Sequence, residues 1–332
     1  MVKIVIDMMG SDLGSRATKE GVVLFHRLHP DCELVLVGKK EELTDLSSSF
    51  KIIDAAEVVT MDMGALEVLR QKDSSMVKAI SAVGLEKADG VVSAGGTGAF
   101  LSAATLLLKK IPGVLRPALV TGFPNLTKGG LVTLLDVGAS NANTPEELAQ
   151  FALMGSLYSR IVFGIDQPLV KLLANGTEEG KGSPEGKEAF KLLAADKKIS
   201  FGGNIEASQV LTGTADVVVA DGFTGNVLLK ASEGTAKGIS SMLKKAFKRN
   251  FFSMLGYLLS KKGLQEMSDQ LSPKKIGGAL LIGVNGVVVK AHGNSDGEAF
   301  ANAIGLAFKL ASSSVVKKIG EGLTEAHDGG TQ

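Results

Sequence analysis

Two loops of this chain have the residue types and spacing to hold an anion. Ala88 to Leu101 reads ADGVVSAGGTGAFL, and Ala215 to Leu228 reads ADVVVADGFTGNVL. They agree in register and without a gap at Ala, Asp, Val, Val, Gly, Thr, Gly and Leu. Each is a β-branched run, a glycine turn ending in Thr-Gly, and a helix-like continuation. Such a unit presents unpaired backbone N–H groups and the positive end of a helix, which together favour phosphate or carboxylate. The match also predicts two related α/β halves around 88–101 and 215–228, with both turns at the carboxyl ends of strands.

Four further loops are equally polar and glycine-rich: Asp7–Asp12, Asp136–Asn143, Asn175–Gly182 and His292–Asp296. Loops that follow parallel strands of one sheet share an edge, so these are expected to converge on one cleft. Lys181 is the most informative charge among them. It lies between Gly180 and Gly182, two residues before the helix cap Ser183, where a flexible cation reinforces an anion site. None of the loops has the G-x-G-x-x-G spacing of a dinucleotide site or the G-x-x-x-x-G-K-[ST] of a nucleotide-phosphate loop. His26 and His29 read as surface residues near a helix end, not as metal ligands. Cys32 reads as an ordinary thiol in a turn. No metal and no cofactor is expected.

The elements that must position these loops alternate in type. Val2–Ile6, Glu33–Val37, Val91–Val92, Ala118–Thr121, Leu131–Leu135, Leu172–Leu173 and Val217–Val219 are short apolar runs, as in strands buried on both faces of a mostly parallel sheet, and a further strand-like run, Val287–Lys290, precedes the His292 loop. Helical stretches fall between them at Ala17–His29, Met76–Glu86, Gly98–Lys110, Thr144–Arg160, Pro184–Ala195, Gly225–Arg249 and Gly297–Lys318. Thr144-Pro145-Glu146-Glu147 is a capping box with proline at the first helical position, and Ser183-Pro184 repeats the cap-then-proline signal. The rhythm predicts a layered α/β fold. No low-complexity linker divides it, so residues 1–325 are expected to form one unit, with 326–332 a disordered tail.

Composition sets the limits. Of 332 residues 45% are hydrophobic and 21% charged, which supports a well-buried core and excludes wholesale disorder. Lys+Arg (36) balances Asp+Glu (35), which excludes a nucleic-acid binder acting through bulk charge. One cysteine permits no intrachain disulfide and fits a reducing cytosol. The first apolar run stops at Asp7, too short for a signal peptide, and no window approaches the roughly 18 apolar residues of a membrane span. A cytoplasmic protein is expected.

One segment departs from that balance. Within 242–271, residues Lys244, Lys245, Lys248, Arg249, Lys261 and Lys262 have no acidic residue among them from 244 to 262. Leu243, Phe247, Phe251, Met254 and Leu258 follow helical spacing, with Leu255 beside them. A basic amphipathic helix suits an anionic membrane surface, an acidic carrier protein or a dimer contact.

Taken together, the loops resemble the PlsX family of bacterial phosphate acyltransferases, the acyl-carrier-protein (ACP):phosphate enzymes of phospholipid synthesis. The likeness runs through Ile6–Asp12, Ser93–Ala99, Arg116–Ala118, Leu134–Gly138, Met154–Tyr158, Asn175–Glu178, Gly203–Glu206, Ala215–Asn226 and Lys290–Gly293. Three positions depart from it: Ser11 stands where the family usually has Gly, Gly96 where it has Asn, and Asn294 where it has Ser. The resemblance implies a three-layer α/β/α fold of two intertwined halves, like phosphotransacetylases and isocitrate or isopropylmalate dehydrogenases, usually in a homodimer associated peripherally with the membrane.

It also implies the reaction acyl-ACP + phosphate → acyl-phosphate + ACP, whose product a downstream membrane acyltransferase uses on glycerol 3-phosphate. Hydrogenphosphate is already an oxygen nucleophile, and the leaving thiol, with a pKa of about 8.5, needs no strong acid. Catalysis then consists of holding two anionic groups together and stabilising the tetrahedral oxyanion. In this reading Gly95, Thr97 and Gly98 cradle phosphate, with Gly176, Thr177, Thr224, Gly225, Asn294 and Ser295 lining the substrate site. Lys181 neutralises charge, Asn226 donates to phosphate or the oxyanion, and His292 takes a proton from phosphate. Asp7, Asp12 and Asp221 organise loops. The alternative is a short-chain phosphotransacetylase or phosphotransbutyrylase that uses acyl-CoA.

Overall fold

The structure is a computed structural model that describes residues 1–60, 63–127, 129–270 and 277–328. Its first part contains strands β1 (Lys3–Asp7), β2 (Glu33–Gly38), β3 (Lys51–Asp54) and β4 (Gly90–Ser93), with helices α1 (Ser15–Leu28), α2 (Ala65–Val68), α3 (Ser75–Leu85) and α4 (Thr97–Leu108). Next come β5 (Ala118–Pro124), β6 (Leu131–Leu135), α5 (Pro145–Phe163), β7 (Leu169–Ala174), α6 (Pro184–Ala195), β8 (Ser200–Glu206) and β9 (Val217–Val219). The chain continues through α7 (Gly222–Phe247), α8 (Phe251–Gln270), β10 (Ala279–Ile282), β11 (Val287–Lys290), α9 (Gly297–Ser312) and α10 (Val315–Asp328).

All the strands join one sheet in the order β3-β2-β1-β4-β11-β10-β5-β6-β9-β7-β8. Pairing is mostly parallel, as expected; the exceptions are β10 with β11, β10 with β5, and β5 with β6. The period-2 pleat sends alternate residues of β1 to opposite cores. Ile4 and Ile6 belong to one core with Phe25 of α1, Phe151 of α5 and Phe300 of α9, while Val5 belongs to the other with Ile80 of α3 and Phe100 of α4. The result is the expected three-layer α/β/α arrangement. Two local sequences recur in topology: β1 lies between β2 and β4, and β7 lies between β8 and β9. The two Thr-Gly turns follow β4 and β9 respectively.

Three antiparallel pairings have a consequence for the site. β4 and β11 run one way, and β6, β9, β7 and β8 run the other. The loops of the two halves therefore leave opposite edges of the sheet. This corrects the expectation that all the glycine-rich loops share one edge.

The sequence missed β3, β8 and β10. β3 and β8 are the two edge strands; β3 is short and half exposed, and β8 contains Gly202 and Gly203, so neither shows an apolar run. The single helix expected over Gly297–Lys318 is two, broken at Ser313–Ser314, where Ser314 has φ 54° and the Ser313 hydroxyl donates back to the Leu310 carbonyl. Consecutive serines compete for backbone bonds and favour such a break. α10 reaches Asp328, so the expected tail is helical over its first three residues; the remainder of that tail, 329–332, lies outside the described residues. His29 stacks on Phe25 and lies tilted against Phe308, and His26 meets Phe50 edge-on, so both histidines have packing roles. Cys32 is buried, and desolvation pushes its thiol up to about 12, the reverse of an activated nucleophile.

Among the described residues no single helix is long and apolar enough to cross a membrane. α9 and the following residues Val315–Glu325 together have the length and composition, but they are bent by 49°, and Phe300, Ile304 and Leu310 of α9 are core residues.

Candidate active site

A cleft of about 550 Å³ lies over β5 and β10 and beneath α7. It joins the two edges of the sheet. Thr97, Lys290 and His292 line it on the edge where β4 and β11 end; Asn226 and Val137 line it on the edge where β6 and β9 end.

Three loops build the first end. A Cβ on Gly10 would stand 2.6 Å from the Gly95 nitrogen, so only glycine lets the first loop lie against the Ser93–Gly98 loop. Asp7, fully buried, clamps them. Its Oδ1 accepts from the Ser75 hydroxyl (2.7 Å) and the Met9 N–H (3.2 Å), and its Oδ2 accepts from the Ser93 hydroxyl (2.6 Å). Ser93 Oγ in turn accepts from the Gly95 N–H (3.0 Å). Burial raises the Asp7 pKa above the usual carboxylate value, and the hydroxyl bonds oppose that rise. Asp7 organises the loop, as its sequence position implied.

Gly96 occupies the N-cap of α4 and has no side chain to cap it. The N–H groups of the first turn, from Thr97 onward, therefore remain open to an anion, while the Gly95 N–H is held by Ser93 Oγ. The second Thr-Gly turn differs. At the start of α7 the Asp221 carboxylate accepts from the Thr224 N–H (2.9 Å) and the Thr224 hydroxyl (2.6 Å). A Cβ on Gly225 would collide with the Asp136 carbonyl. Thr224 is thus engaged in a cap and Gly225 in close packing, and a carboxylate already occupies that helix end. The two turns share a sequence pattern, but only the first is open.

Lys290 was missed by the sequence reading. It is 8% exposed, and its Nζ donates to the carbonyls of Ala94 (3.3 Å) and Ala291. Burial lowers its pKa to about 8, against the pull of Asp12 and Asp7, so it remains mostly cationic at neutral pH. The signal was present: a lysine ends a buried Val287–Val289 run, two residues before His292. His292 is partly exposed, and its Nε2 lies 3.4 Å from Oε1 of Glu233. Burial lowers the imidazole pKa, with Glu233 opposing, so the ring is neutral and basic at pH 7.

At the other end Asn226, just past the first turn of α7, enters the cleft. Its side chain lies over Gly138, where a Cβ would come within 3.5 Å of the Asn226 side chain. Gly138 belongs to a loop gathered around buried Asp136, whose carboxylate accepts from the N–H groups of Leu119, Gly138, Ala139 and Ser140 and from the Ser140 hydroxyl. Between the ends the wall is apolar: Leu119 and Phe123 of β5 face Leu229 and Ile239 of α7.

The other expected site residues are placed apart. Lys181 lines an adjoining pocket with Asn175, Ser183, Asp221 and Thr224, on the other side of α7; Ala231 borders both pockets. Gly176 is buried under Lys181, where a Cβ would be 2.7 Å from the lysine Cγ, and Thr177 is exposed on the same loop. Gly98 and Asn294 are exposed and do not line the cleft. Ser295 is buried and donates its N–H to the His292 carbonyl (3.1 Å), a supporting contact for the histidine.

The basic segment is a helical hairpin, not the single amphipathic helix expected. α7 ends at Phe247, α8 begins at Phe251, and the Phe247 and Tyr257 rings lie 5.5 Å apart where the arms fold together. Lys248, Arg249 and Asn250 form the break, which splits the apolar stripe read across them. Leu255 and Leu258 are exposed, as are Phe251 and Phe252.

The profile of the family described as fatty acid synthesis protein matches residues 2–318. The chain is 41% identical over 330 residues to the phosphate acyltransferase of Thermotoga neapolitana, covering 99% of both. It is 43% identical over 304 residues to that of Ligilactobacillus salivarius, covering 90% of this chain and 91% of the relative. In fold it is similar to a phosphotransacetylase from Streptococcus pyogenes (TM-score 0.60, 18% identity, covering 95% of this chain and 94% of that one). It is also similar to a 4-hydroxythreonine-4-phosphate dehydrogenase from Klebsiella pneumoniae (TM-score 0.52, 11% identity, covering 93% and 99%). A profile match over nearly the whole length, with such identities to full-length relatives, shows that this chain belongs to the fatty acid synthesis protein family, the PlsX acyltransferases that its loops resemble.

Proposed function

We propose that the protein transfers a long-chain acyl group from acyl-ACP to inorganic phosphate, releasing acyl-phosphate and ACP. One observation carries the reading. The cleft joins an anion site, made of the open α4 N-terminus and the buried Lys290 cation, to an apolar wall of Leu119, Phe123, Leu229 and Ile239. A phosphate and a hydrocarbon chain are the two ends of an acyl-phosphate. The open N–H groups at the start of α4 and the Thr97 hydroxyl donate to phosphate, Gly95 shapes the loop beneath it, and Lys290 balances its charge. Asn226 donates to the oxyanion that forms on the thioester carbonyl, and His292 takes the phosphate proton. Lys181, on its glycine-flanked loop, adds positive charge from the adjoining pocket across the first turn of α7.

The first test mixes purified protein with palmitoyl-ACP and phosphate and measures acyl-phosphate together with free ACP. Steady, phosphate-dependent product is expected. Product from short acyl-CoA alone would instead identify a short-chain phosphotransacetylase, a reading that fits the fold of the Streptococcus pyogenes enzyme. Lys181→Ala is expected to lower turnover by about 10², the scale of one lost stabilising group. Turnover within about threefold of the parent would remove Lys181 from the mechanism.

The α7–α8 hairpin is the proposed docking surface for an anionic membrane, where a downstream membrane acyltransferase takes up the product; the working form is a homodimer. Exposed Leu255 and Leu258 beside Lys244, Lys245, Lys248 and Arg249 supply both terms of interfacial binding, apolar insertion and attraction to anionic lipid. Leu255→Glu with Leu258→Glu is expected to release the protein from phosphatidylglycerol vesicles in a flotation assay, with catalysis in solution retained. Unchanged flotation would leave the hairpin to ACP or to a second copy of the chain.

A further inference from the structure

We propose that Glu233 is a positioning residue for His292, so that the base of the cleft is a carboxylate–imidazole pair and not a lone histidine. The inference rests on the reading above that His292 takes the phosphate proton. Glu233 projects from α7 into the cleft opposite the loop that follows β11. Its side chain is nine-tenths buried, and Oε1 has no hydrogen-bond partner. A buried carboxylate oxygen without a donor is costly, and few such groups persist in folded proteins without a role. His292 Nε2 stands 3.4 Å from that same oxygen, an ion-pair distance that a small ring movement shortens to a hydrogen bond. The other oxygen, Oε2, is 3.4 Å from Nζ of Lys230.

The charges around the ring explain why a carboxylate is needed there. Lys230 and Lys237 on α7 and Lys290 at the end of β11 all disfavour a second positive charge on His292. Asp12, on the loop after β1, lines the same end of the cleft. Glu233 is the acidic group paired directly with the ring. By accepting the Nε2 proton it fixes the tautomer, leaves the Nδ1 lone pair for substrate, and stabilises the imidazolium that forms.

The proton balance of the reaction closes through this pair. An oxygen of hydrogenphosphate attacks the thioester carbon, forming the C–O bond, and its proton passes to Nδ1. The tetrahedral intermediate collapses, the C–S bond breaks, and Nδ1 returns the proton to the departing sulfur. Hydrogenphosphate and thioester become acyl-phosphate and thiol with no proton gained or lost.

The test uses the full chain. His292 is titrated by NMR through its ring C–H signals, assigned with His292→Gln, in the parent and in Glu233→Gln. The pH profile of kcat is measured on both. Glu233→Gln keeps size and removes charge, so the His292 midpoint is expected to fall by about one unit, the effect of losing one close opposite charge. kcat is expected to fall by about 10-fold or more, the cost of losing a group that orients a histidine, with the KM for phosphate held within about threefold. Glu233→Asp, which retains the charge one methylene further back, is expected to recover part of both. An unmoved midpoint with an unchanged pH profile in Glu233→Gln would overturn the proposal. If the parent protein transfers no acyl group to phosphate, the functional reading fails on its own, and the NMR titration still decides whether the pair exists.

Discussion

Asn226→Ala is expected to lower kcat by about 10²–10³ while changing the KM for phosphate by less than about threefold. The split follows from what the amide is placed to do. Phosphate is charged before and after attack, so groups that hold it act on ground state and transition state alike. The thioester oxygen gains its charge only as the tetrahedral centre forms, so a donor aimed at it acts on kcat. Asn226 lines the cleft just past the first turn of α7, and it rests on Gly138, whose φ of 126° holds the loop beneath it. Asn226→Asp is a sharper version: it keeps the shape, replaces the donor by an anion, and is expected to lose at least as much. Steady-state rates with acyl-ACP over a phosphate series check both. A raised KM with an unchanged kcat would make Asn226 a phosphate ligand and leave the oxyanion to another donor.

The strands that carry the site were legible because burial on both faces of a parallel sheet demands continuous apolar runs, and Val91–Val92 and Val217–Val219 have nothing else to do. The helix starts at Thr144 and Ser183 were legible because a capping hydroxyl followed by proline has few other uses: both side chains cap as expected, accepting from the N–H groups of Glu147 and Gly186. Strand direction was not legible. Nothing in the apolar runs of Ala118–Thr121 or Leu131–Leu135 says that β5 and β6 are antiparallel, and that reversal sends half of the loops to the opposite edge. The two Thr-Gly turns read alike for a related reason. Whether a helix N-terminus is open depends on the residue at its cap, and Gly96 and Asp221 give opposite answers within one shared pattern. Lys290 and Glu233 were hidden because burial, not residue type, gives them their chemistry. A lysine at a strand end and a glutamate on a long helix are ordinary until the fold removes water from both.

The largest expected loss of stability belongs to Asp136→Ala, at about 3–5 kcal/mol, the scale of stranding several buried donors after partial relaxation. The carboxylate is fully buried, and it is the common acceptor for the start of the loop. Oδ1 takes the N–H groups of Leu119 (2.9 Å), Gly138 (3.1 Å) and Ala139 (2.9 Å), and Oδ2 takes the Ser140 N–H (3.0 Å) and hydroxyl (2.7 Å). Alanine would leave these donors buried and unpaired, each costing about 1–3 kcal/mol before the loop relaxes and water enters. The pattern among milder variants separates this account from a simple packing loss. Asp136→Asn can keep the three bonds to Oδ1, but its amide meets the Ser140 N–H donor to donor, so it should fall between the parent and alanine. Ser140→Ala removes one donor and leaves none stranded, and is expected to cost about 1 kcal/mol. Urea unfolding of the three variants measures the order directly; an Asp136→Asn as stable as the parent, with the loss confined to Asp136→Ala, would mean that volume, not hydrogen bonding, holds the loop. Because the same loop supports Asn226 through Gly138, Asp136→Asn should also lose activity at temperatures where it remains folded, and that loss should appear in kcat.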